Sequence, residues 1–596
     1  MTALLDFLSP PAGWHVERAL CASYSAQSSV LAAMLMAMNG NVNAHGSGSR
    51  VLLARAMRNL KGKVQFLIQH GRLAAPRARR AVLGMLDRFI VPINFDERTR
   101  EGASWHPKIC LIEYSPDAKA VKGQQSFWKL WIGSRNFTRD GSWDIGFSLS
   151  SDPAQNGGQL IIGVDTLAGK LAGQARKQAE WAKALSQLKS VRWQVPKGMK
   201  VRAVHLLLPK EERHALPEVP TDVHSVLAVA PFIEAGELRR LAMATPGASR
   251  TLVSLEESIA VEARQAGWAD MFALHYLPPG SQDVLADDKE ASGDDEEPEM
   301  GGLHAKFLWF EHRDGATLHL GSPNLTERGW RRSAEAYVTL DIARPGSSAA
   351  AKNVYEGMAR FRASCARVDV STLPQPVDNA VEQLLEQQRK MLAASLGATQ
   401  RLEPDQTVTI TSAGSPALGT GVSLSISRIG DIAVPWPSTS TPLVLPAAPR
   451  YENSDFLHLV ISAGGQEVAW LQHAPFVPPL GEAERDLPLL QSFLGLNGLL
   501  DWLAEVLAGA GDGSGKGRDW DDNDTKKPQT KRAESLPFSV EAVLAAWVRD
   551  PATLKEARAV MEMARGYAGN DQDDHEARAR LRSFLKSWAV LEAHLR

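Results

Sequence analysis

Cysteine is scarce in this sequence, which has only Cys21, Cys110 and Cys365 among 596 residues and no CxxC pair. Disulfide frameworks need several cysteines at regular spacing, and zinc ribbons need CxxC pairs. Neither kind of site is indicated. We therefore expect a protein of the reducing cytoplasm.

Long apolar runs and an excess of one charge are also missing. The longest apolar run near the start, VLAAMLMAM from Val30, is far shorter than the ~20 residues that span a bilayer, and no basic segment precedes it. We expect no export signal and no membrane anchor. The formal net charge of -2 argues against bulk attraction to nucleic acid but leaves room for a local basic patch.

What the chain does have is length and an ordinary globular composition, with 44% hydrophobic and 22% charged residues. At ~100 to 200 residues per domain, several domains are expected. Helix and strand patterns alternate over residues 1–165 and again over 201–400, with one connecting helix predicted at 166–200. This alternation predicts an α/β layered fold.

The remaining segments differ in character. Residues 283–300 are acidic and poor in apolar side chains, which is typical of a mobile loop. Short strand patterns broken by Pro and Gly predict a small β domain at 401–482. A helical segment at 483–510, a linker at 511–536 and a helical domain at 537–596 follow. A protein partner or self-association through residues 401–596 is compatible with this layout.

One ordered set of polar residues occurs twice, once in each α/β unit. The first copy comprises His106, Lys108, Ser134, Asn136 and Asp144, and the second comprises His304, Lys306, Ser322, Asn324 and Glu335. In both copies His and Lys are two apart at the start of a strand, so they share one face. A hairpin turn then returns the chain, and this geometry predicts that Gly-Ser-x-Asn lies beside the His-Lys pair.

The doubled set suits attack on a phosphoryl group. A neutral His is a nucleophile that can form a phosphoenzyme, and a protonated His can donate to the leaving oxygen. Lys and Asn can stabilise the charge on the other phosphoryl oxygens. The carboxylate after each motif can accept from the His Nδ1 and fix its tautomer. This inventory needs no metal ion, and we expect no cofactor.

The doubled HxK with GSxN resembles the phospholipase D superfamily over roughly residues 25–370. The resemblance implies two pseudo-symmetric α/β/α sandwich halves, a phosphohistidine intermediate and a site that forms within one chain. It also implies that His106 is the nucleophile and His304 the acid. The family acts on lipids, polyphosphate and nucleic acids, so the motif does not name the substrate.

Two departures from the family pattern are visible. Glu113 and Glu311 stand where the family has Asp, a position that is generally structural. The first motif also has about ten additional residues between Lys108 and Gly133, which we assign to the hairpin turn. Tyrosyl-DNA phosphodiesterases, whose motif lacks the Asp, imply that the catalytic set does not require it.

Weaker candidates for substrate contact flank the motifs. Trp105 and Trp330 can stack on a base or lie in the core. Arg328, Arg331 and Arg332 follow the second motif and can track a phosphate backbone. Each member of the doubled set also has a plain alternative: Ser and Asn are common turn residues, and Asp144 and Glu335 can be surface carboxylates.

Three functions remain open from the sequence. The first is a cytoplasmic nuclease acting on DNA or RNA, because basic residues lie by the second motif and the appended domains resemble those of bacterial defence or DNA-processing members of the superfamily. The second is a phospholipase or phosphatidyltransferase. The third is a scaffold that binds nucleic acid without catalysis.

Overall fold

The computed structural model describes most of the chain. The described residues are 2–40, 49–76, 81–95, 102–117, 125–139, 141–151, 157–209, 211, 216–265, 267–279, 302–373, 379–412, 414, 416–437, 442–508, 540–549, 553–567 and 574–594. The predicted acidic loop at 283–300 and the predicted linker at 511–536 lie outside them.

A seven-stranded sheet forms the centre of the first half. Its strands, in spatial order, are Ile90–Ile93, Val64–Gln69, Trp14–Ser23, Ile109–Pro116, Phe127–Gly133, Gly146–Ser151 and Trp193–Gln194. The strand Trp14–Ser23 pairs parallel with Val64–Gln69 and antiparallel with Ile109–Pro116. Every residue of Val64–Gln69 is buried, as expected for a strand covered on both faces.

An eight-stranded sheet repeats this plan in the second half. Its strands, in matching spatial order, are Ala366–Arg367, Ala273–Tyr276, Ser249–Val253, Val223–Val229, Phe307–His312, Gly315–Gly321, Glu335–Ala343 and Met199–Leu207. Val223–Val229 again pairs parallel on one side, with Ser249–Val253, and antiparallel on the other, with Phe307–His312. The two halves are therefore copies of one topology, and the predicted pseudo-symmetric α/β fold is confirmed.

Helices cover the sheets. The α-helices are Thr2–Leu8, Ser28–Met38, Arg50–Leu60, Val164–Ala172, Gln178–Leu185, Ala235–Ala244, Glu256–Glu262, Ala349–Ser364, Ala380–Ser395, Glu482–Ala508, Val540–Arg549, Thr553–Arg565 and Asp574–His594. Ser28–Met38 is buried at ten of its eleven positions, as its uniformly apolar sequence predicts. None of the described helices is both long and apolar enough to cross a bilayer.

One sequence-based prediction of a helix was wrong in detail. The predicted connecting helix at 166–200 is two α-helices and a 3₁₀ turn, Ser186–Ser190. It breaks after Gly173, and Lys177 adopts a left-handed φ of 56° that a continuous helix excludes. In the first half, Ala81–Arg88 forms a 3₁₀ helix.

The β domain is joined to the first half by a shared sheet. A three-stranded sheet contains Thr399–Leu402, Val408–Thr411 and Leu443–Leu445, and a six-stranded sheet contains Ser423–Ser427, Val434–Pro435, Phe456–Ala463, Gln466–His473, Leu73–Ala74 and Ala26–Gln27. The last two strands come from the first half. The β-domain strand Gln466–His473 therefore pairs directly with Leu73–Ala74 and, through it, is joined to Ala26–Gln27.

The C-terminal helices share a core with the first half instead of forming one of their own. Glu482–Ala508 packs on Arg50–Leu60, and one hydrophobic cluster includes residues of both. Beneath it, the buried guanidinium of Arg485 binds both carboxylate oxygens of Asp87, with Nη2 2.9 Å from Oδ1. Breaking such a buried pair leaves an uncompensated charge, so this contact fixes how the helices dock.

Candidate active site

The two His-Lys pairs lie where their hairpins begin. His106 and Lys108 precede the strand Ile109–Pro116, and His304 and Lys306 precede Phe307–His312. In each half the glycine of Gly-Ser-x-Asn donates its backbone N–H to the Lys carbonyl oxygen, at 3.1 and 3.2 Å. The structure therefore places Gly-Ser-x-Asn beside His-x-Lys in both halves.

Those two glycines are required by close packing against the neighbouring strand. A Cβ at Gly321 would lie 2.1 Å from the carbonyl oxygen of Ala336. A Cβ at Gly133 would lie 2.9 Å from the carbonyl oxygen of Ile145 and closer still to the Trp131 ring. Only glycine lets the strand approach this closely.

Backbone hydrogen bonds join the two halves at the histidines. The N–H of His106 donates to the Ala334 carbonyl at 2.9 Å, and the N–H of His304 donates to the Trp143 carbonyl at 2.9 Å. Each acceptor is the residue just before the carboxylate of the other half. Each histidine is therefore anchored to the opposite half next to an acidic side chain.

The side chains complete this crossed arrangement. His106 Nδ1 lies 2.9 Å from Glu335 of the second half, and His304 Nδ1 lies 2.8 Å from Asp144 Oδ1 of the first half. A carboxylate on Nδ1 fixes the tautomer and leaves Nε2 to react. The sequence predicted the kind of partner and not that the pairing crosses between the halves.

The motif serines hold the carboxylates. The Ser134 hydroxyl donates to Asp144 Oδ1 at 2.8 Å, and the Ser322 hydroxyl donates to Glu335 Oε2. Arg135 adds a second donor to Asp144, with Nη1 3.2 Å from Oδ2. The serines therefore act on the histidines indirectly, by holding the carboxylates that bind them.

Both lysines are almost completely buried, at 0% exposure for Lys108 and 1% for Lys306. Lys108 Nζ lies 2.9 Å from His106 Nε2, and each Nζ donates to the carbonyl oxygen of its own histidine. Burial, together with the charge of Lys306, lowers the pKa of Lys108, although Glu335 and Asp144 oppose the shift. A cation held this far from water exerts a strong local field.

The pKa values of His304 and Asp144 are both lowered. For His304 the largest cause is burial, followed by the charge of Lys306, and the hydrogen bond that the imidazole donates to Asp144 only partly offsets them. For Asp144 burial acts upwards, but the hydrogen bond and charge of His304 and the charge of Arg135 outweigh it. The site thus holds an ionised carboxylate, Asp144, beside His304, whose imidazolium form loses its proton more readily than an ordinary histidine does.

The two asparagines differ in their partners. Asn136 Oδ1 accepts a hydrogen bond from the Ser23 hydroxyl at 3.4 Å. Asn324 Oδ1 is buried and has no hydrogen-bond partner among the described residues. An unpaired buried polar atom is costly, and such atoms are enriched where a ligand completes the bonding.

Glu113 and Glu311 take part in structural contacts away from the histidines. Glu113 Oε2 forms an ion pair with Arg18 Nε at 2.7 Å, and Glu311 accepts a hydrogen bond from the Trp309 indole at 2.8 Å. Arg362 Nη2 lies 3.4 Å from Glu311. The additional residues of the first motif fall between the paired strands of its hairpin, and residues 118–124 of this insertion are outside the described part.

The flanking aromatic and basic candidates are placed differently from one another. Trp105 is fully buried, and its indole donates to the Leu67 carbonyl at 2.9 Å, while Trp330 packs in the core against Tyr337. Both rings therefore lie in the core, which is one of the two alternatives that the sequence left open. Arg328, Arg331 and Arg332 form a π-helical turn after Asn324, and Arg332 bonds Glu327 at 2.9 Å.

One neighbour of His106 has no signal in the sequence. The ring of Tyr24 lies 4.9 Å from the imidazole, and the Arg72 guanidinium lies 4.5 Å from the centre of that ring. Neither residue belongs to a repeated motif. Only the register of the strands could have placed them here.

The two sheets of matching topology, joined at two His-x-Lys pairs, decide the fold. This doubled α/β arrangement is the one that the resemblance to the phospholipase D superfamily implies. No family model matches the chain, and no curated protein matches its sequence.

Two solved structures resemble parts of the chain. A polyphosphate kinase from Porphyromonas gingivalis shares 12% identity with a TM-score of 0.34, covering 65% of this chain and 51% of the kinase. The chain thus spans about half the length of that kinase. A phosphatidylserine synthase from Haemophilus influenzae shares 11% identity with a TM-score of 0.35, covering 66% of this chain and 91% of the synthase.

Proposed function

We propose that this protein is a metal-independent phosphodiesterase that cleaves DNA or RNA through a phosphohistidine intermediate. The observation that supports it best is the crossed pairing of His106 with Glu335 and of His304 with Asp144. In each imidazole Nδ1 is hydrogen-bonded to a carboxylate, which leaves Nε2 as the nitrogen that can react. Two such groups supply a nucleophile and an acid in one site.

In the first step His106 Nε2 attacks phosphorus while the bond to the leaving oxygen breaks. The His304 imidazolium gives its Nε2 proton to that oxygen. Lys108 Nζ, which lies 2.9 Å from His106 Nε2, transfers its hydrogen bond to a phosphoryl oxygen. Lys306 and the two asparagine amides supply further donors to the developing charge.

In the second step water replaces the leaving group. His304, now neutral, takes a proton from the water, and the hydroxyl oxygen attacks phosphorus. The N–P bond breaks and returns its electron pair to His106 Nε2. Both histidines end in their starting protonation states, as microscopic reversibility requires.

Nucleic acid is proposed as the substrate because cations cluster around the site. Arg135 Nη1 lies 3.2 Å from Asp144 Oδ2, and the turn Arg328–Arg332 begins four residues after Asn324. A phosphate backbone provides neighbouring anions for such groups. A lipid headgroup offers the same reacting bond, so lipid turnover is the alternative outcome to be tested.

The test is a cleavage assay in EDTA with labelled single- and double-stranded DNA, RNA and phosphatidylcholine vesicles. We expect cleavage of nucleic acid by the wild type and none by His106→Ala or His304→Ala. His15→Ala is the matched control, since this histidine lies on the surface beside Asp117. Turnover of lipid alone would overturn the nucleic-acid proposal, and turnover of no substrate would favour the scaffold.

A further inference from the structure

Tyr24 forms one wall of the site on the His106 side. Its ring lies 4.9 Å from the His106 imidazole at an interplanar angle of 58°. Arg72 lies over the same ring at 4.5 Å, and Lys108 Nζ lies 5.9 Å from the ring centre. Cations over an aromatic face are attracted by its quadrupole, so these contacts hold the ring in place.

Glu386, in the helix Ala380–Ser395, anchors Arg72 from outside the first half. Its carboxylate accepts from Arg72 Nη2 at 2.7 Å and from Arg389 Nε at 2.9 Å. Burial alone would raise the pKa of Glu386, but the hydrogen bonds and charges of the two arginines hold it at about 2. The carboxylate is therefore ionised throughout the working range of pH.

The backbone beneath Tyr24 and Arg72 is fixed by the same neighbours. Ala26–Gln27 pairs with Leu73–Ala74, which in turn pairs with the β-domain strand Gln466–His473. A Cβ at Gly71 would lie 2.4 Å from the Cβ of Ala393, so the loop lies directly on the helix. The segments that carry Tyr24 and Arg72 are thus held by residues beyond 380.

Among the described residues of the second half, no aromatic ring is placed beside His304 as Tyr24 is beside His106. Ala22 faces Leu67 and Ile109 across the first sheet, and Val229 faces Val253 and Phe307 across the second. Counting from these matched positions, Tyr24 corresponds to Pro231 and Arg72 corresponds to Ser258. The aromatic ring and its cation are therefore present beside His106 and not at the equivalent positions beside His304.

We propose that Tyr24 is a positioning residue for His106 and that Arg72 and Glu386 hold it in place, so that the helix Ala380–Ser395 sets the reactivity of one of the two histidines. The ring limits rotation of the imidazole and keeps water from one of its faces. This positioning role depends on the proposed function only because that function gives His106 a reaction to perform. A nucleophile held in one orientation loses less entropy on reaching the transition state.

The direct test measures acylation of each histidine by diethyl pyrocarbonate, mapped by mass spectrometry without any substrate. In Tyr24→Leu we expect His106 to react about fivefold faster, the equivalent of losing a contact worth about 1 kcal/mol. His304, in the same chain, is the internal control and keeps its rate. Tyr24→Phe keeps the ring and behaves as the wild type.

Glu386→Gln tests the anchor, with Glu382→Gln as the matched control on an exposed position of the same helix. We expect an intermediate acceleration at His106 in Glu386→Gln and none in Glu382→Gln. With substrate, Tyr24→Leu lowers kcat about tenfold with little change in KM, as expected when orientation is lost and binding is retained.

Equal acceleration at both histidines, or Tyr24→Phe behaving as Tyr24→Leu, would overturn the positioning role. Identical behaviour of Glu386→Gln and Glu382→Gln would overturn the anchor. Because acylation needs no turnover, a wild type that cleaves nothing while His106 still responds to Tyr24→Leu would refute only the proposed function.

Discussion

The two halves of the site share a backbone plan and differ in what surrounds each histidine. His106 has Tyr24, Arg72 and a lysine on its Nε2, and its side chain is 15% exposed. His304 has no equivalent ring among the residues that the structure describes, and its side chain is 24% exposed. The two copies of the fold thus place the two histidines in matching backbone positions. Neighbours that are not repeated, such as Tyr24 and Arg72, make the histidines chemically unequal.

The largest expected effect comes from removing either histidine, and the choice of substrate separates their roles. His106→Ala and His304→Ala each lower turnover of nucleic acid by about 10⁴-fold. With bis(p-nitrophenyl) phosphate, whose leaving group needs no proton, the first step survives in His304→Ala and is lost in His106→Ala. A burst of nitrophenolate in stopped-flow measurements reports that step. A burst in His106→Ala would reverse the assignment.

The crossed carboxylates come next. Glu335→Gln and Asp144→Asn keep the shape of the side chain and lose the charge that orients the imidazole, so each lowers kcat by about 10²- to 10⁴-fold. Steady-state kinetics measures the loss. If only one substitution mattered, the two halves would not contribute equally to orientation.

The pH dependence should show that His304 acts as the acid. Its pKa is lowered by burial and by Lys306, so the protonated form is lost below the usual range for histidine. We expect kcat/KM to fall as pH rises through this lowered pKa. Asp144→Asn removes a group that raises the pKa of His304, so the falling limb moves to lower pH. Movement to higher pH would contradict the assignment.

The asparagines offer a smaller comparison. Ser23 supplies a hydroxyl to Asn136, and the matching position in the second half is Ala230. Ala230→Ser should give Asn324 Oδ1 the donor that it lacks, raising the free energy of unfolding by about 1 kcal/mol. Denaturant unfolding measures this change. Ala230→Gly, which adds no donor, is the control and should not stabilise the protein.

The smallest effect on chemistry is expected at Glu113. Glu113→Gln weakens the contact with Arg18, which is partly exposed, and should cost about 1 kcal/mol of stability. We expect kcat to be unchanged at temperatures well below unfolding. A large fall in kcat with unchanged stability would give this position a part in catalysis.

The repeated motif could be predicted from the sequence, whereas contacts between distant segments of the chain could not. The spacing of His106, Lys108 and Ser134 was visible because the same order recurs at 304–322, and the hairpins follow from strand periodicity. The crossing of carboxylates was not visible, because His106 and Glu335 are 229 residues apart. No local pattern reports such a contact.

Other features could not be read from local sequence either. The sequence left open whether Trp105, next to His106, contacts substrate or the core, and the structure places its side chain in the core. Tyr24 and Glu386 belong to segments whose only connection is tertiary. The break at Lys177 was missed because lysine gives no warning of a left-handed φ.

Trapping the reaction intermediate is the most direct test of whether the two unequal histidines share one phosphodiester reaction. The protein is mixed with ³²P-labelled substrate in EDTA, quenched in alkali, digested and mapped by mass spectrometry. We expect an acid-labile phosphoramidate on His106 that accumulates in the wild type and disappears in His106→Ala. A phosphoryl group on His304, or cleavage with no phosphohistidine at all, would contradict it.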